Sequence, residues 1–197
     1  MLYLASQSPR RRQLLQQLGV TFRVLEVEVP EQRAADETPE AYVTRVAREK
    51  ALAGLRAVDD AAGALVLGAD TEVVLDGAVF GKPADAAAAT EMLERLSART
   101  HEVVSAVWVV AAGHAQCAVS TSQVRFARLG RVQIVDYVAT GEPFGKAGGY
   151  AIQGRGATLV EHLQGSYSGV MGLPLFETAQ LLRAAATWPC SADATDQ

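Results

Sequence analysis

The sequence predicts a single α/β domain, and three observations carry that prediction. Short apolar runs of strand character alternate along the chain with capped helices that carry an apolar stripe. Two long valine-rich runs, residues 100–112 and 115–126, meet at Gly113-His114 and predict a hairpin. At 197 residues the chain is long enough to bury a substantial core in one domain, with two lobes as its largest subdivision.

The totals narrow the function classes. A formal net charge of -4 gives no global field that would favour nucleic acid, so any basic site is local. Cys117 and Cys190 lie far apart and form neither a CxxC nor a Cys/His spacing, which fits a reducing cytoplasm and argues against zinc or a disulfide framework. The first residues lack the apolar core of a signal peptide, and no run reaches about 18 apolar residues. The expectation is a soluble, cytoplasmic protein with no membrane partner.

Residues 2–5 read as a short strand running into Ser6-Gln7-Ser8-Pro9. Ser8 suits an N-cap and Pro9 a first helical residue; Leu14, Leu15 and Leu18 supply the apolar stripe, and Gly19 ends the helix. Arg10, Arg11 and Arg12 fill the first turn, where each cation costs roughly 0.3–1 kcal/mol against the helix dipole. An anion trap is the favoured explanation, since Ser6 and Ser8 add hydroxyl donors; a solvated basic patch or an RNA contact is the alternative.

Residues 20–29 predict a second strand, followed by a polar loop in which Glu31 is the acid best placed to reach a site, although a solvated loop acid is the commoner case. Thr38-Pro39 caps a helix to about Ala57, buried through Val43, Val46, Ala47, Ala51 and Leu55. Lys50 falls on that same face, where a lysine either snorkels to the rim or points into a polar cavity; snorkelling is the ordinary outcome.

Residues 65–83, LVLGADTEVVLDGAVFGKP, organise the rest. A buried strand ends on Asp70, with Gly68 and Ala69 leaving room for a ligand or another backbone segment and Thr71 adding a hydroxyl. A hairpin follows through an Asp76-Gly77 turn and returns Lys82 toward Asp70. A strand-end carboxylate with a nearby lysine suits metal-bound polyphosphate; a surface salt bridge is the plainer alternative.

Asp85 caps an alanine-rich helix, and residues 131–140 form a short one ended by Gly141. Residues 141–156 form a glycine-dense loop whose Lys146, Tyr150, Gln153 and Arg155 suit ligand contact. The Gln153 amide offers a donor and an acceptor to a base edge, or is a simple capping amide. His101, His114 and His162 lack metal spacing and read as structural or exposed. Residues 157–163 predict a strand, 165–169 a turn and 173–186 a final helix, with residues 188–197 a frayed tail.

The segments ASQSPRRRQLL (5–15), REKA (48–51), GADTEVV (68–74), GKP (81–83), LSARTHEV (96–103), YVATGEPFGKAGGYAIQG (137–154) and GSYSGVMGLPLFET (165–178) together resemble the Maf family of nucleoside triphosphate pyrophosphatases, in order and nearly throughout. The resemblance implies an elongated mixed β-sheet with flanking helices and a cleft between two lobes, related to inosine triphosphate pyrophosphatases. It implies one catalytic domain over residues 1–187, a divalent metal such as Mg2+ or Mn2+, a nucleoside triphosphate substrate and a homodimer. Water would attack the α-phosphorus, releasing pyrophosphate. By that resemblance Asp70 is the proton acceptor, and Glu31 its acidic partner for metal or water. Ser6, Arg11, Lys50 and Lys82 are the phosphate contacts, and Lys146 is a further ligand-loop residue.

Arg10, Thr71 and Gln153 match the residues that mark the dTTP/UTP branch, with modified pyrimidine nucleotides as further candidates; a tyrosine, a glutamine and a glutamate would mark the branch acting on 7-methyl-GTP. A neutral amide can meet a pyrimidine edge, whereas a guanine edge with two donors suits a carboxylate. Gly145 departs from the family's usual aspartate. Nucleotide binding without turnover, with a role in cell division, is therefore the alternative of a different class.

Overall fold

The computed structural model describes residues 1–59, 61 and 63–186; the expected frayed tail and Cys190 lie outside the described residues. One seven-stranded mixed sheet forms the centre, flanked by helices. Its strands are β1 (Leu2–Ala5), β2 (Phe22–Leu25), β3 (Leu65–Leu75), β4 (Ala78–Phe80), β5 (Thr100–Ala111), β6 (His114–Phe126) and β7 (Val160–Gln164). The helices are α1 (Pro9–Gln17), α2 (Pro39–Arg56), α3 (Ala86–Leu96), α4 (Arg131–Ala139), α5 (Tyr167–Met171) and α6 (Leu175–Ala185).

The strand order is β2-β1-β3-β5-β6-β7, with β4 paired to β3. β2, β1 and β3 run parallel, and the remainder of the sheet is antiparallel. The caps follow the chemistry of the sequence. Ser8, Thr38 and Asp85 each accept from a backbone amide three residues on, and the first two are followed by proline. Asp76 and Gly77 take positive φ values of 52° and 77°, the twist that a two-residue hairpin needs.

Four expectations are corrected. The second strand spans only Phe22–Leu25, because β1 pairs with it over four residues and then stops. Residues 157–159 belong to a 3-10 turn, so β7 begins at Val160. Residues 167–171 form a helical turn capped by Ser166 rather than an open turn. Most consequential, Asp70 is not at a strand end. It sits in the middle of β3, which runs unbroken through Leu75 because β5 pairs with it from Val66 to Val74.

That continuity creates the opening. On the edge of β3 opposite β5, β1 covers residues 65–67 and β4 covers residues 73–75. Among the described residues no strand pairs with residues 68–72 on that edge, so the sheet has a gap beside Asp70. Gly68 brings α2 into contact with β3: a β-carbon there would lie 2.5 Å from the Ala47 carbonyl oxygen and 2.5 Å from the Ala51 amide nitrogen. The small residue therefore serves the approach of a backbone segment, and that approach carries Lys50 to Asp70.

Candidate active site

The gap opens into a cavity of about 970 Å³ lined by residues from β1, α1, the loop before α2, β3, the loop after β4 and residues 142–154. A shallower concavity of about 620 Å³ beside Trp108 shares no lining residue with it. The first is lined by Ser6, Arg10, Arg11, Glu31, Lys50, Asp70, Thr71, Lys82, Lys146 and Gln153, all raised by the sequence, whereas Arg155 of the glycine-dense loop does not line it. Arg12 is exposed and does not line it, so the part of the arginine run that faces the cavity is Arg10 and Arg11.

Lys50 points inward rather than snorkelling. Its Nζ donates to Asp70 Oδ1 at 2.8 Å and to Glu31 Oε1 at 2.5 Å. Lys82 returns to the cavity as the hairpin predicts, but its bond is to Glu31 Oε2 at 2.7 Å rather than to Asp70. Glu31 thus holds one lysine on each oxygen. Burial raises its pKa, but the bonds from Lys50 and Lys82 outweigh that and hold it at about 2.

Arg11 approaches the same oxygen of Asp70, with Nη2 4.0 Å from Oδ1. Its Nε donates to the Gly172 carbonyl at 2.8 Å, and its Nη atoms reach Ser6 Oγ and Thr71 Oγ1 at 3.4 and 3.5 Å. Ser105 Oγ donates to the Gly169 carbonyl at 2.7 Å, so in the 2.8 Å contact between Thr71 and Ser105 the threonine must be the donor. Thr71 therefore accepts from Arg11 and donates to Ser105. The chain of bonds ties the arginine to α5.

Two carboxylates share one face of β3, since residues two apart on a strand point the same way. Asp70 is 6% exposed and Glu72 is 7% exposed; Asp70 Oδ2 and Glu72 Oε2 are buried without a hydrogen-bond partner. Burial and then the charge of Asp70 push the Glu72 pKa up to about 8. Glu72 is the residue that sequence reasoning missed. Its signal was the period of two from Asp70, hidden by reading the strand as ending there.

In the same cavity, Gln153 Oε1 is buried with no partner. Lys146 donates to the carbonyls of Glu142 and Phe144, and burial followed by the charge of Arg10 lowers its pKa. Glu142, also missed, accepts from the amides of Arg155 and Gly156 and so pins this loop. Gly145 has φ of +71°, and a β-carbon there would meet nothing within 4 Å. In this chain Lys146 is oriented by backbone carbonyls without an acid at that position.

His101 is not near a metal set. It is buried, 2.8 Å from the Tyr150 hydroxyl through Nε2, and packed edge-on against Phe126. His114 and His162 are exposed. No group of three His, Cys, Asp or Glu side chains converges on a metal position among the described residues.

The fold and cavity define an α/β protein in which one cavity gathers Arg10, Arg11, Lys50, Lys82 and Lys146 and also holds a buried amide oxygen without a partner. A family model described as Maf-like protein matches residues 1–185, and the chain belongs to that family. It is 61% identical over 183 residues to a nucleoside triphosphate pyrophosphatase of Xylella fastidiosa (strain M23), covering 92% of this chain and 97% of the relative. It is 59% identical over 186 residues to a dTTP/UTP pyrophosphatase of Xanthomonas euvesicatoria pv. vesicatoria (strain 85-10), covering 93% and 98%. Among solved structures, the Staphylococcus aureus Ham1 protein aligns with a TM-score of 0.43 at 14% identity over 64% of this chain and 71% of that one. No helix among the described residues is long and apolar enough to cross a membrane.

Proposed function

We propose that the protein is a pyrophosphatase that hydrolyses dTTP and UTP to the monophosphate and pyrophosphate. The observation that carries this reading is the unequal state of the two Asp70 oxygens. Oδ1 is held by Lys50, while Oδ2 is buried, unpartnered and in the same cavity as Arg11, Lys82 and Ser6. The names and high identity of the Xylella and Xanthomonas relatives support the same activity.

In this reading Ser6, Arg11, Lys50 and Lys82 bind the triphosphate, and the two lysines exchange Glu31 for phosphate oxygens. The water oxygen forms a bond to the α-phosphorus as the bond to the pyrophosphate oxygen breaks. The water proton passes to the Asp70 carboxylate. Phosphoryl displacement needs mostly positioning and charge neutralisation, so one base among several cations is adequate machinery.

A divalent cation fits these residues. Mg2+ commonly takes one or two carboxylates and completes its shell with phosphates and water, so a three-ligand protein cage is not required. Asp70, through its free hard oxygen, and Glu31, once its lysines engage phosphate, would hold Mg2+ or Mn2+. When bound, the metal neutralises charge on the phosphates.

Gln153 would read the pyrimidine edge with its amide, and Arg10 and Thr71 would complete the selection, Thr71 by fixing Arg11. Lys146 would support the loop facing the nucleotide. The family resemblance supports one catalytic domain over residues 1–187, a homodimer and a cytoplasmic site of action.

The test is pyrophosphate release by purified protein across a nucleotide panel, with and without Mg2+ and Mn2+. Metal-dependent release from dTTP and UTP is expected. A preference for 7-methyl-GTP would overturn the branch assignment. Tight binding with no release from any nucleotide would replace catalysis by a regulatory role.

A further inference from the structure

We propose that Glu72 is a direct oxygen ligand for the divalent cation, in addition to Asp70, so that two of the cation's protein ligands come from β3. The inference rests on the pyrophosphatase reading above and adds a ligand to it.

Geometry carries the argument. Glu72 lies two residues after Asp70 on an unbroken strand, so both side chains leave the same face of β3. Both line the same cavity, beside the stretch of β3 edge that neither β1 nor β4 covers. Each carboxylate is more than nine-tenths buried, and each keeps one buried oxygen, Oδ2 and Oε2, without a hydrogen-bond partner. Buried polar atoms are rarely left unpaired, and two neighbouring acids that share the condition are costly unless something else satisfies them.

The nearby cations do not satisfy Glu72. Lys50 is committed to Glu31 and Asp70, Lys82 to Glu31, and Arg11 to Gly172, Ser6 and Thr71. A hard divalent ion is the partner that two unpaired carboxylate oxygens on one strand face suit, particularly where a triphosphate supplies the remaining ligands. A neutral, purely structural acid at position 72 is the competing explanation.

The experiment is Mn2+ binding to the full chain, measured by loss of the free-ion paramagnetic resonance signal. It is run alone and with a non-hydrolysable α,β-imido analogue of dTTP. Glu72→Gln keeps the volume and should weaken Mn2+ binding at least tenfold in the presence of the analogue; Glu72→Asp should fall between. Thermal unfolding without metal checks that each variant is folded, and a destabilised Gln variant leaves the Asp variant to decide.

Wild-type affinity for Mn2+ in both variants would overturn the proposal, as would wild-type protein that binds no Mn2+ with the analogue. Pyrophosphate release from dTTP by the wild type is measured in parallel. If release persists while the Mn2+ result fails, only the role of Glu72 falls. If release is absent, the pyrophosphatase reading falls whatever the metal does.

Discussion

Lys50 Nζ lies 2.8 Å from Asp70 Oδ1, joining the middle of α2 to the middle of the central strand inside the cavity. The same nitrogen reaches Glu31, so a loop acid, a helix lysine and a strand acid form one charged row. Arg11 lies 4.0 Å from the same Asp70 oxygen. The row engages Asp70 Oδ1 and leaves Oδ2 without a hydrogen-bond partner.

Asp70→Asn keeps the side-chain volume and removes the carboxylate proposed as the base. Turnover should fall by roughly a hundred- to ten-thousand-fold, the range that a positioned general base contributes. Affinity for a non-hydrolysable dTTP analogue should change only a few-fold. An Asn variant that releases pyrophosphate at the parental rate would remove Asp70 from the chemistry.

Lys82→Ala tests the hairpin's contribution. The Lys82 side chain is 54% exposed, so its ion pair with Glu31 is worth at most about 1 kcal/mol to stability. Nucleotide affinity and rate should both drop while the urea midpoint hardly moves. Full activity in this variant would show that the lysine does not engage the phosphates.

Gly68→Ala addresses the seat of α2. The added methyl would meet backbone atoms of Ala47 and Ala51 at 2.5 Å, a clash that flexible side chains cannot relieve. Overpacking of this kind costs about 1–3 kcal/mol, and the displaced helix should carry Lys50 away from Asp70. Urea denaturation and the turnover rate should therefore fall together. Unchanged stability would mean that the helix does not rest on this glycine.

His101 predicts a pH dependence of stability. Burial lowers its pKa from 6.5 to about 4, so the unfolded chain takes up a proton there well before the folded one does. The contribution is present above about pH 6.5 and is lost as pH falls toward 4. It amounts to about 3 kcal/mol from this group. His101→Gln, which can still reach the Tyr150 hydroxyl, should flatten that part of the profile in urea titrations at pH 7, 6 and 5. An identical slope in both proteins would rule the histidine out as its source.

Much of the architecture was legible because its causes are local. Ser8-Pro9 and Thr38-Pro39 announce helix starts through the backbone donors they satisfy or lack, and Asp76-Gly77 announces a hairpin through its positive φ values. Tertiary competition accounts for the misses. The end of β2, the start of β7 and the continuity of β3 through Asp70 are set by which strand lies alongside, which no local pattern encodes.

The sequence alone determined the ingredients of the site: the arginine run after Ser8-Pro9, the acid and lysine around the hairpin and the glycine-spaced loop ending at Gln153. Residue type and near-neighbour spacing are enough for that, because they limit what chemistry a segment can offer. Only the tertiary structure decided the wiring. It turned Lys50 inward, gave Lys82 to Glu31, excluded Arg12 and set Glu72 beside Asp70. Each of those outcomes depends on contacts between residues far apart along the chain, where packing and burial rather than spacing fix the partner of each charge.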